Sequence, residues 1–318
     1  MSATRAAITA ADEEPHAPST DLAWREAYAF DLHDAASGLA GFTRMTVRPN
    51  AGMMDAALSF FLPDGGFITA RHVKPQSTNT AELEVEDVRY TVCEPLRSWR
   101  VTYDGPAHSL LESRDAGDRA AWARSRLERL IVDVTLEATS PPLASGAQLF
   151  QQTCVARGEV WVSGDHYVLQ ALGGRERCWG VEEDAQLLAR STLLARFDER
   201  HALGVTLALR DQRPVPSGWI VRDGAPLVLV DATLATTREP ETDLPSALRL
   251  TLKDEQGEQH VVTGEVVQLA PLPEMRNARA SVSCECVVRY RWQERVGYGF
   301  ATDWRVLDAN GKPVASVG

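Results

Sequence analysis

Residues 172–180 read Leu-Gly-Gly-Arg-Glu-Arg-Cys-Trp-Gly. On both sides of this segment apolar and polar residues alternate, which is the pattern of half-buried β-strands. Glycine inside such a pattern marks a bulge or a place where something approaches the backbone closely. Taken alone, the segment leaves two interpretations open: a tight bend with a surface ion cluster, or a functional site built on a strand.

The alternation continues along most of the chain in both directions. Short strand-like runs recur at intervals of roughly ten residues, many joined by Asp-Gly or similar turn sequences, which is typical of β-sandwiches and barrels. Residues 115–129 form the one good helix candidate. The theme of strand, turn and strand occurs in both halves. The sequence therefore predicts an all-β fold of two similar antiparallel domains.

Composition and local pattern suggest where these domains begin and end. Residues 1–20 are rich in alanine, carry Asp12, Glu13 and Glu14, and lack the apolar core of a secretory signal. We expect them to be a disordered leader. An N-terminal β domain is predicted over residues 21–190 and a C-terminal β domain over residues 191–318, with the boundary in a stretch that reads as a linker followed by a strand.

The overall composition excludes several classes of protein. The 318 residues carry a net charge of −11, and no cluster of basic residues could bind nucleic acid. No apolar run approaches the roughly 20 residues that span a membrane. The five cysteines lack paired CxxC spacing, which favours free thiols and a cytoplasmic location. Cys284 and Cys286 are predicted to be small core residues and not metal ligands. The sequence does not indicate an oligomeric state.

Motifs for cofactors and for common catalytic centres are absent from the sequence. It contains no nucleotide-binding glycine pattern, no Walker lysine, no serine-hydrolase elbow and no zinc signature. Asp31, His33 and Asp34 could form a catalytic cluster, but their spacing in an expected turn favours a solvated loop. We therefore expect no metal and no organic cofactor. A β scaffold with eight tryptophans could instead enclose a cavity for an apolar ligand.

Four segments in the same order resemble the carotenoid 1,2-hydratase/AttH-like superfamily: residues 41–50, 94–106, 148–180 and 297–299. The resemblance implies two consecutive lipocalin-like β-barrel domains with a ligand pocket near their junction. Relatives include hydratases that act on isoprenoid double bonds, and cyclases and Diels–Alderases of natural-product pathways. The resemblance implies no cofactor for these reactions.

The sequence departs from the family signature, Gly-x-Arg-Asp-His-Ser-Trp-Gly, at three positions. Arg177 stands where the family has histidine, Cys178 where it has serine, and Glu176 where it has aspartate. Arginine does not release its proton near neutral pH, but it can polarise a carbonyl or stabilise negative charge. An acid would have to be Glu176, Asp104, Asp303 or a similar group, unless the reaction needs none, as in a cyclisation promoted by folding the substrate.

These observations lead to a first hypothesis of a cofactor-independent hydratase (lyase) or cyclase. Its substrate would be a bulky hydrophobic isoprenoid, polyene or polyketide. The candidate catalytic residues are Arg177, Glu176 and Asp104, and the candidate substrate-binding residues are Trp179, Trp99, Tyr103, Gln152, Cys178, Tyr298 and Asp303.

Two alternatives remain open. One is a non-catalytic lipocalin-like carrier of a hydrophobic small molecule. The other is a structural protein in which Arg175 pairs with Glu176 and Trp179 belongs to the core. The enzyme hypothesis predicts that Arg177→Ala removes activity and leaves the thermal midpoint nearly unchanged.

Overall fold

The chain folds as two compact β units. The structure is a computed structural model that describes residues 8–76, 83–146, 148–181, 187–210, 213–276 and 279–317. The first unit takes the described residues of 1–64, 68–109 and 126–182, and the second takes those of 65–67, 110–125 and 183–318. The predicted all-β fold of two lipocalin-like domains is confirmed. The predicted boundary at residue 190, however, lies inside a strand of the second unit, Leu187–Asp198.

Eleven strands form the sheet of the first unit. They are β1 (Trp24–His33), β2 (Ala40–Arg48), β3 (Met53–Phe61), β4 (Phe67–Pro75), β5 (Glu84–Val85), β6 (Val88–Glu94), β7 (Ser98–Leu110), β8 (Arg126–Ala138), β9 (Leu143–Ala144), β10 (Leu149–Val162) and β11 (Asp165–Val181). The main path runs β4-β3-β2-β1-β11-β10-β8-β7-β6-β5, and β9 pairs with β10. Because β4 also pairs with β7, the eight strands from β4 to β7 along this path close into a ring.

The second unit is a closed antiparallel barrel of eight strands in sequence order. They are β12 (Leu187–Asp198), β13 (His201–Arg210), β14 (Arg213–Arg222), β15 (Ala225–Arg238), β16 (Pro245–Asp254), β17 (Gln259–Arg276), β18 (Arg279–Trp292) and β19 (Arg295–Val306). Cys284 and Cys286 lie in its core, each 1% exposed, which confirms that they are core residues.

Apolar side chains pack tightly in one part of the interior of the first unit. Phe30, Leu58, Val101 and Val132 belong to one buried cluster there. The cavity that these strands enclose measures only about 20 Å³. The interior of an eight-stranded barrel can be filled by its own side chains, and this part of it has no room for a bulky ligand.

Gly173 allows close contact between β11 and β1. A Cβ atom on Gly173 would lie 2.1 Å from the carbonyl oxygen of Asp31 on β1, a distance that backbone atoms cannot accommodate. The expectation that something approaches the backbone closely in this segment is confirmed at Gly173. Asp31 and His33 belong to β1 itself, so they are not in the solvated turn that the sequence favoured.

The predicted helix over residues 115–129 is wrong in most of its length. A 3-10 turn spans Ser113–Gly117 and a five-residue helix, α1, spans Arg119–Ala123. The side chain of Asp118 caps α1 by accepting a hydrogen bond from the Ala120 N–H. From Arg126 onward the residues pair with β7, because the alternation that follows residue 126 matches a strand.

Residues 8–23, called the N-terminal segment below, contradict the prediction of a disordered leader over residues 1–20. Ala10–Glu13 forms a 3-10 turn, and Glu13 is only 4% exposed. Its carboxylate pairs with the guanidinium of Arg175 on β11. The acidic composition indicated solvation, but a buried cation in the barrel orders this segment. Residues 1–7 lie outside the described residues.

Candidate active site

Strand β11 presents two different sets of side chains to its two faces. Successive residues of a strand point to opposite faces, so Arg175, Arg177 and Trp179 share the face of the barrel interior. Arg175 and Arg177 are 2% and 0% exposed. Glu176 and Cys178 point to the other face. An ion pair between Arg175 and Glu176 is therefore excluded, and Glu176 does not share a site with Arg177.

The guanidinium of Arg175 stacks on the indole of Trp99, 3.9 Å from the ring centroid. It pairs with Glu13, and its Nη2 atom donates to Glu13 Oε2 over 3.2 Å. Burial lowers the pKa of Arg175, and the Glu13 carboxylate opposes that shift. Gln152 also faces this group, with its Oε1 3.3 Å from Arg175 Nη1. The structure thus brings three residues that were singled out from the sequence together around one guanidinium: Arg175, Trp99 and Gln152.

The guanidinium of Arg177 pairs with the carboxylate of Glu26 on β1. It lies 4.1 Å from the centroid of the Tyr28 ring and 5.5 Å from that of Trp179. Its Nη1 atom donates to the Cys178 carbonyl over 2.9 Å. The residue that replaces the family histidine is thus a charged group enclosed by an anion and two aromatic rings.

His16 of the N-terminal segment packs against the same group. Its imidazole stacks on Trp179, with ring centroids 3.9 Å apart. Its Nδ1 atom lies 3.4 Å from Glu26 Oε2 and 3.5 Å from Arg177 Nη2. The main-chain N–H of His16 donates to Glu26 Oε1 over 2.9 Å. An imidazole therefore lies beside Arg177, although it comes from a distant part of the sequence.

A cavity of about 490 Å³ opens beside these ion pairs. The described residues that line it are Glu13, Glu14, Pro15, Tyr28, Leu83, Glu84, Arg89, Tyr90, Thr91 and Val92. Burial raises the pKa of Tyr28 to about 12, although the nearby Arg177 charge lowers it in part. The phenol of Tyr28 therefore stays protonated at neutral pH and keeps its O–H group as a hydrogen-bond donor.

Asp104 and Tyr103 do not join this group. Asp104 is exposed and accepts two hydrogen bonds from Arg129, over 2.8 and 2.7 Å, which hold the pKa of its carboxyl below the usual range. The Tyr103 hydroxyl donates to the Pro106 carbonyl over 2.7 Å. Both residues line a separate cavity of about 320 Å³. A carboxylate held in its ionised form is a poor proton donor, and the assignment of an acid role to Asp104 stays a prediction.

Tyr298 and Asp303 lie on β19 of the second unit. Asp303 accepts a hydrogen bond from Arg238 over 2.9 Å and forms an ion pair with Arg305 over 3.2 Å. It thus belongs to a cluster of charges within that unit. The assignment of these two residues to substrate binding stays a prediction.

The opposite face of the sheet at β1 and β11 carries two carboxylates, Asp31 and Glu176, whose proximity the sequence did not reveal. Burial and the charge of Glu176 raise the pKa of Asp31 to about 7, while a hydrogen bond from the Gly174 backbone lowers it. The amide of Gln151 donates to Glu176 over 2.9 Å. Asp31 is an acid poised near neutral pH, but it points away from the face that holds Arg177.

Four residues of the site were missed from the sequence: Glu13, His16, Glu26 and Tyr28. Glu26 and Tyr28 had a usable signal, because they alternate with small residues in the strand β1 and face the same side. Glu13 and His16 had none, because their contacts depend on the path of a segment without periodicity.

In the described part of the chain no group of three or more His, Cys, Asp or Glu side chains could hold a metal ion. No helix there combines the length and apolarity needed to cross a membrane.

Comparison with known proteins gives a family match and a shared fold. The model of a family described as Domain of unknown function (DUF7064) matches residues 9–305. A search of curated protein sequences finds no match.

Three solved structures are similar over most of their length. An AttH-type protein from Nitrosomonas europaea is 13% identical with a TM-score of 0.68, over 92% of this chain and 94% of that one. CghA in complex with Sch210972 is 12% identical with a TM-score of 0.65, over 93% and 94%. Kievitone hydratase from Nectria haematococca is 10% identical with a TM-score of 0.61, over 95% and 94%. At these identities the similarity establishes the fold.

Proposed function

The chain belongs to the family of the domain of unknown function DUF7064, and from its fold and the geometry of its cavity we propose that it is a cofactor-independent enzyme that cyclises or hydrates a bulky hydrophobic metabolite. The reaction takes place in the cavity beside Tyr28 and Glu13. Structures with this fold include a hydratase and a protein solved with a small molecule, which is consistent with this class of chemistry.

The observation that carries the proposal is the position of Tyr28 between the cavity and Arg177. The phenol lines the cavity, and the guanidinium lies 4.1 Å from the centroid of its ring. A hydrogen-bond donor backed by a buried cation stabilises negative charge that develops on a substrate oxygen. Because both groups are held in place by packing, they need not reorganise during the reaction.

This arrangement favours cyclisation over hydration. A cyclisation needs a substrate held in its reactive shape and a donor to an activating carbonyl, and the cavity and Tyr28 supply these. Hydration of an alkene needs a proton donor. Tyrosine with a pKa of about 12 is a weak one, and arginine is weaker still. The imidazole of His16 lies beside Arg177 on this side of β11 and is one group that could take that role.

A carrier without chemistry is the second candidate. One observation favours it: both buried arginines are already paired with carboxylates, Arg175 with Glu13 and Arg177 with Glu26. A guanidinium whose charge is neutralised by a carboxylate attracts a substrate oxygen less strongly. The cavity would then serve to bind an apolar molecule that leaves unchanged.

Incubation with candidate ligands separates these functions. The protein is mixed with a panel of polyene, terpenoid and polyketide compounds, binding is followed by tryptophan fluorescence and native mass spectrometry, and the recovered compound is analysed. We expect a compound of unchanged mass but altered retention, which indicates cyclisation, or one heavier by a water molecule. Binding with an unchanged compound supports the carrier. The absence of binding by every compound contradicts both.

A further inference from the structure

Four donors surround the carboxylate of Glu13 in the first unit. Arg175 approaches both oxygens, through Nη1 at Oε1 and through Nη2 at Oε2. The Leu96 main-chain N–H also donates to Oε1, and the Trp99 indole N–H to Oε2, each over 3.3 Å. Charge-assisted contacts from a guanidinium and two further N–H groups are the features of a site that binds a carboxylate.

All of these donors belong to the barrel, whereas the carboxylate comes from outside it. Arg175 lies on β11 and Trp99 on β7, and Leu96 precedes β7. Glu13 lies in the N-terminal segment, whose 3-10 turn is held by hydrogen bonds within the segment, such as Asp12 N–H to the Thr9 carbonyl. The segment contacts the barrel through side chains and isolated main-chain groups instead of strand pairing. The donors are therefore built into the barrel, and their present partner is the more weakly attached part.

Glu13 belongs both to this carboxylate site and to the lining of the cavity. Glu13, Glu14 and Pro15 form one wall of the cavity of about 490 Å³, and Tyr28, Leu83 and Val92 are among its other lining residues. The Nε atom of Arg175 is buried and has no hydrogen-bond partner among the described residues. A ligand with an apolar body in this cavity and an anionic end would reach the same donors that Glu13 now uses.

We propose that Arg175, Trp99 and the Leu96 N–H form a binding site for the carboxylate of an otherwise apolar ligand, and that Glu13 occupies this site in the free protein. The ligand carboxylate replaces that of Glu13 and displaces the N-terminal segment. This inference rests on the proposed function for one point, that the cavity takes an apolar molecule. It concerns binding and requires no turnover.

The test compares an acid with its ester on variants of the full chain. All-trans-retinoic acid and its methyl ester are titrated into the wild type, Glu13→Gln and Glu294→Gln. Glu13→Gln keeps the shape of the side chain and removes its charge, so the acid is expected to bind about tenfold more tightly or better, while binding of the ester stays nearly constant. Glu294 is exposed, and its variant controls for the change in net charge.

A second variant locates the effect at Arg175. Glu13→Gln combined with Arg175→Met removes both members of the pair, so the preference for the acid over the ester should disappear. An unchanged ratio of acid to ester affinity in Glu13→Gln would overturn the proposal, as would failure of that variant to bind the acid at all. If the wild type binds the acid but never converts any compound, the proposed enzymatic function fails while this inference stands.

Displacement of the N-terminal segment is measured on the wild type. The proposal can therefore be tested even if the Glu13 variants fold poorly. Trp179 loses its stacking with His16 when the segment leaves, so the acid should change tryptophan emission in the wild type and much less in Trp179→Phe. Limited proteolysis within residues 8–20 should accelerate with the acid and not with the ester. Equal proteolysis with and without the acid would contradict the displacement.

Discussion

The imidazole of His16 stacks on the indole of Trp179, with ring centroids 3.9 Å apart and an angle of 10° between the ring planes. The two residues belong to the N-terminal segment and to β11. This contact, together with the pair of Glu13 and Arg175, makes the N-terminal segment part of the candidate site. The charge balance of the barrel interior therefore depends on residues that precede its first strand.

Replacement of Arg177 by alanine is expected to destabilise the protein. The side chain is fully buried, and its removal leaves the Glu26 carboxylate, 3% exposed, without its cation. Breaking a buried pair in this way costs about 3–5 kcal/mol. Urea unfolding followed by circular dichroism measures the loss.

This prediction, which follows from the burial of the pair, replaces the expectation from sequence that Arg177→Ala leaves the thermal midpoint nearly unchanged. Arg129→Ala serves as the control, because its ion pair with Asp104 is exposed and contributes little. The double variant Arg177→Met with Glu26→Gln should regain much of the lost stability. If Arg177→Ala is as stable as the wild type, the prediction is wrong and Glu26 finds another partner.

The stability of the protein should fall as the pH rises through neutrality because of Asp31. Burial and the Glu176 charge raise the pKa of Asp31 in the folded protein to about 7. A carboxyl whose folded pKa lies above its unfolded pKa stabilises the fold in its protonated form. That contribution is complete below the unfolded pKa, near pH 4, and is lost as the pH rises through about 7.

Thermal midpoints between pH 5.5 and about pH 8.5 test this dependence. Asp31→Asn should show a flatter profile than the wild type and a higher midpoint at the alkaline end. Glu176→Gln should flatten the profile in part, since it removes one of the two causes. Parallel profiles for the wild type and Asp31→Asn would mean that Asp31 does not titrate in this range.

Gly173→Ala is expected to destabilise the first unit by about 1–3 kcal/mol. The added Cβ atom would lie 2.1 Å from the Asp31 carbonyl oxygen, so β1 and β11 would have to separate locally. Gly146→Ala is the matched control, since the nearest heavy atom to its Cβ lies 3.9 Å away. Equal midpoints of urea unfolding for the two variants would contradict the close approach.

Tyr28→Phe should lower turnover of a converted compound by about 100-fold, the typical effect of losing one donor to a developing oxyanion. The dissociation constant of that compound should change little, because phenylalanine keeps the aromatic ring. Tyr167→Phe removes a phenol from the same unit without touching the cavity and serves as the control. Single-turnover kinetics measure the rate of the chemical step in each variant. A rate for Tyr28→Phe equal to that of the wild type would show that Tyr28 takes no part in the reaction.

The all-β fold of two domains could be predicted from the sequence because strand alternation and turn glycines are local signals. The sequence placed Gly173 correctly at a close approach for the same reason. It grouped Arg177 with Glu176 and Cys178 because they are neighbours in the chain, although a strand sends neighbours to opposite faces. It could not find the partner of Arg175, since Glu13 is 162 residues away in a segment whose composition indicates disorder.

The most direct test of the site is photo-crosslinking with an apolar ligand that carries a diazirine, followed by peptide mass spectrometry. Labelled peptides are expected to contain Tyr28 or the stretch from Tyr90 to Val92, which line the cavity of about 490 Å³. Excess unlabelled ligand should suppress this labelling. Label confined to the second unit, for example to residues 213–276, would contradict the account and place the ligand in the other barrel.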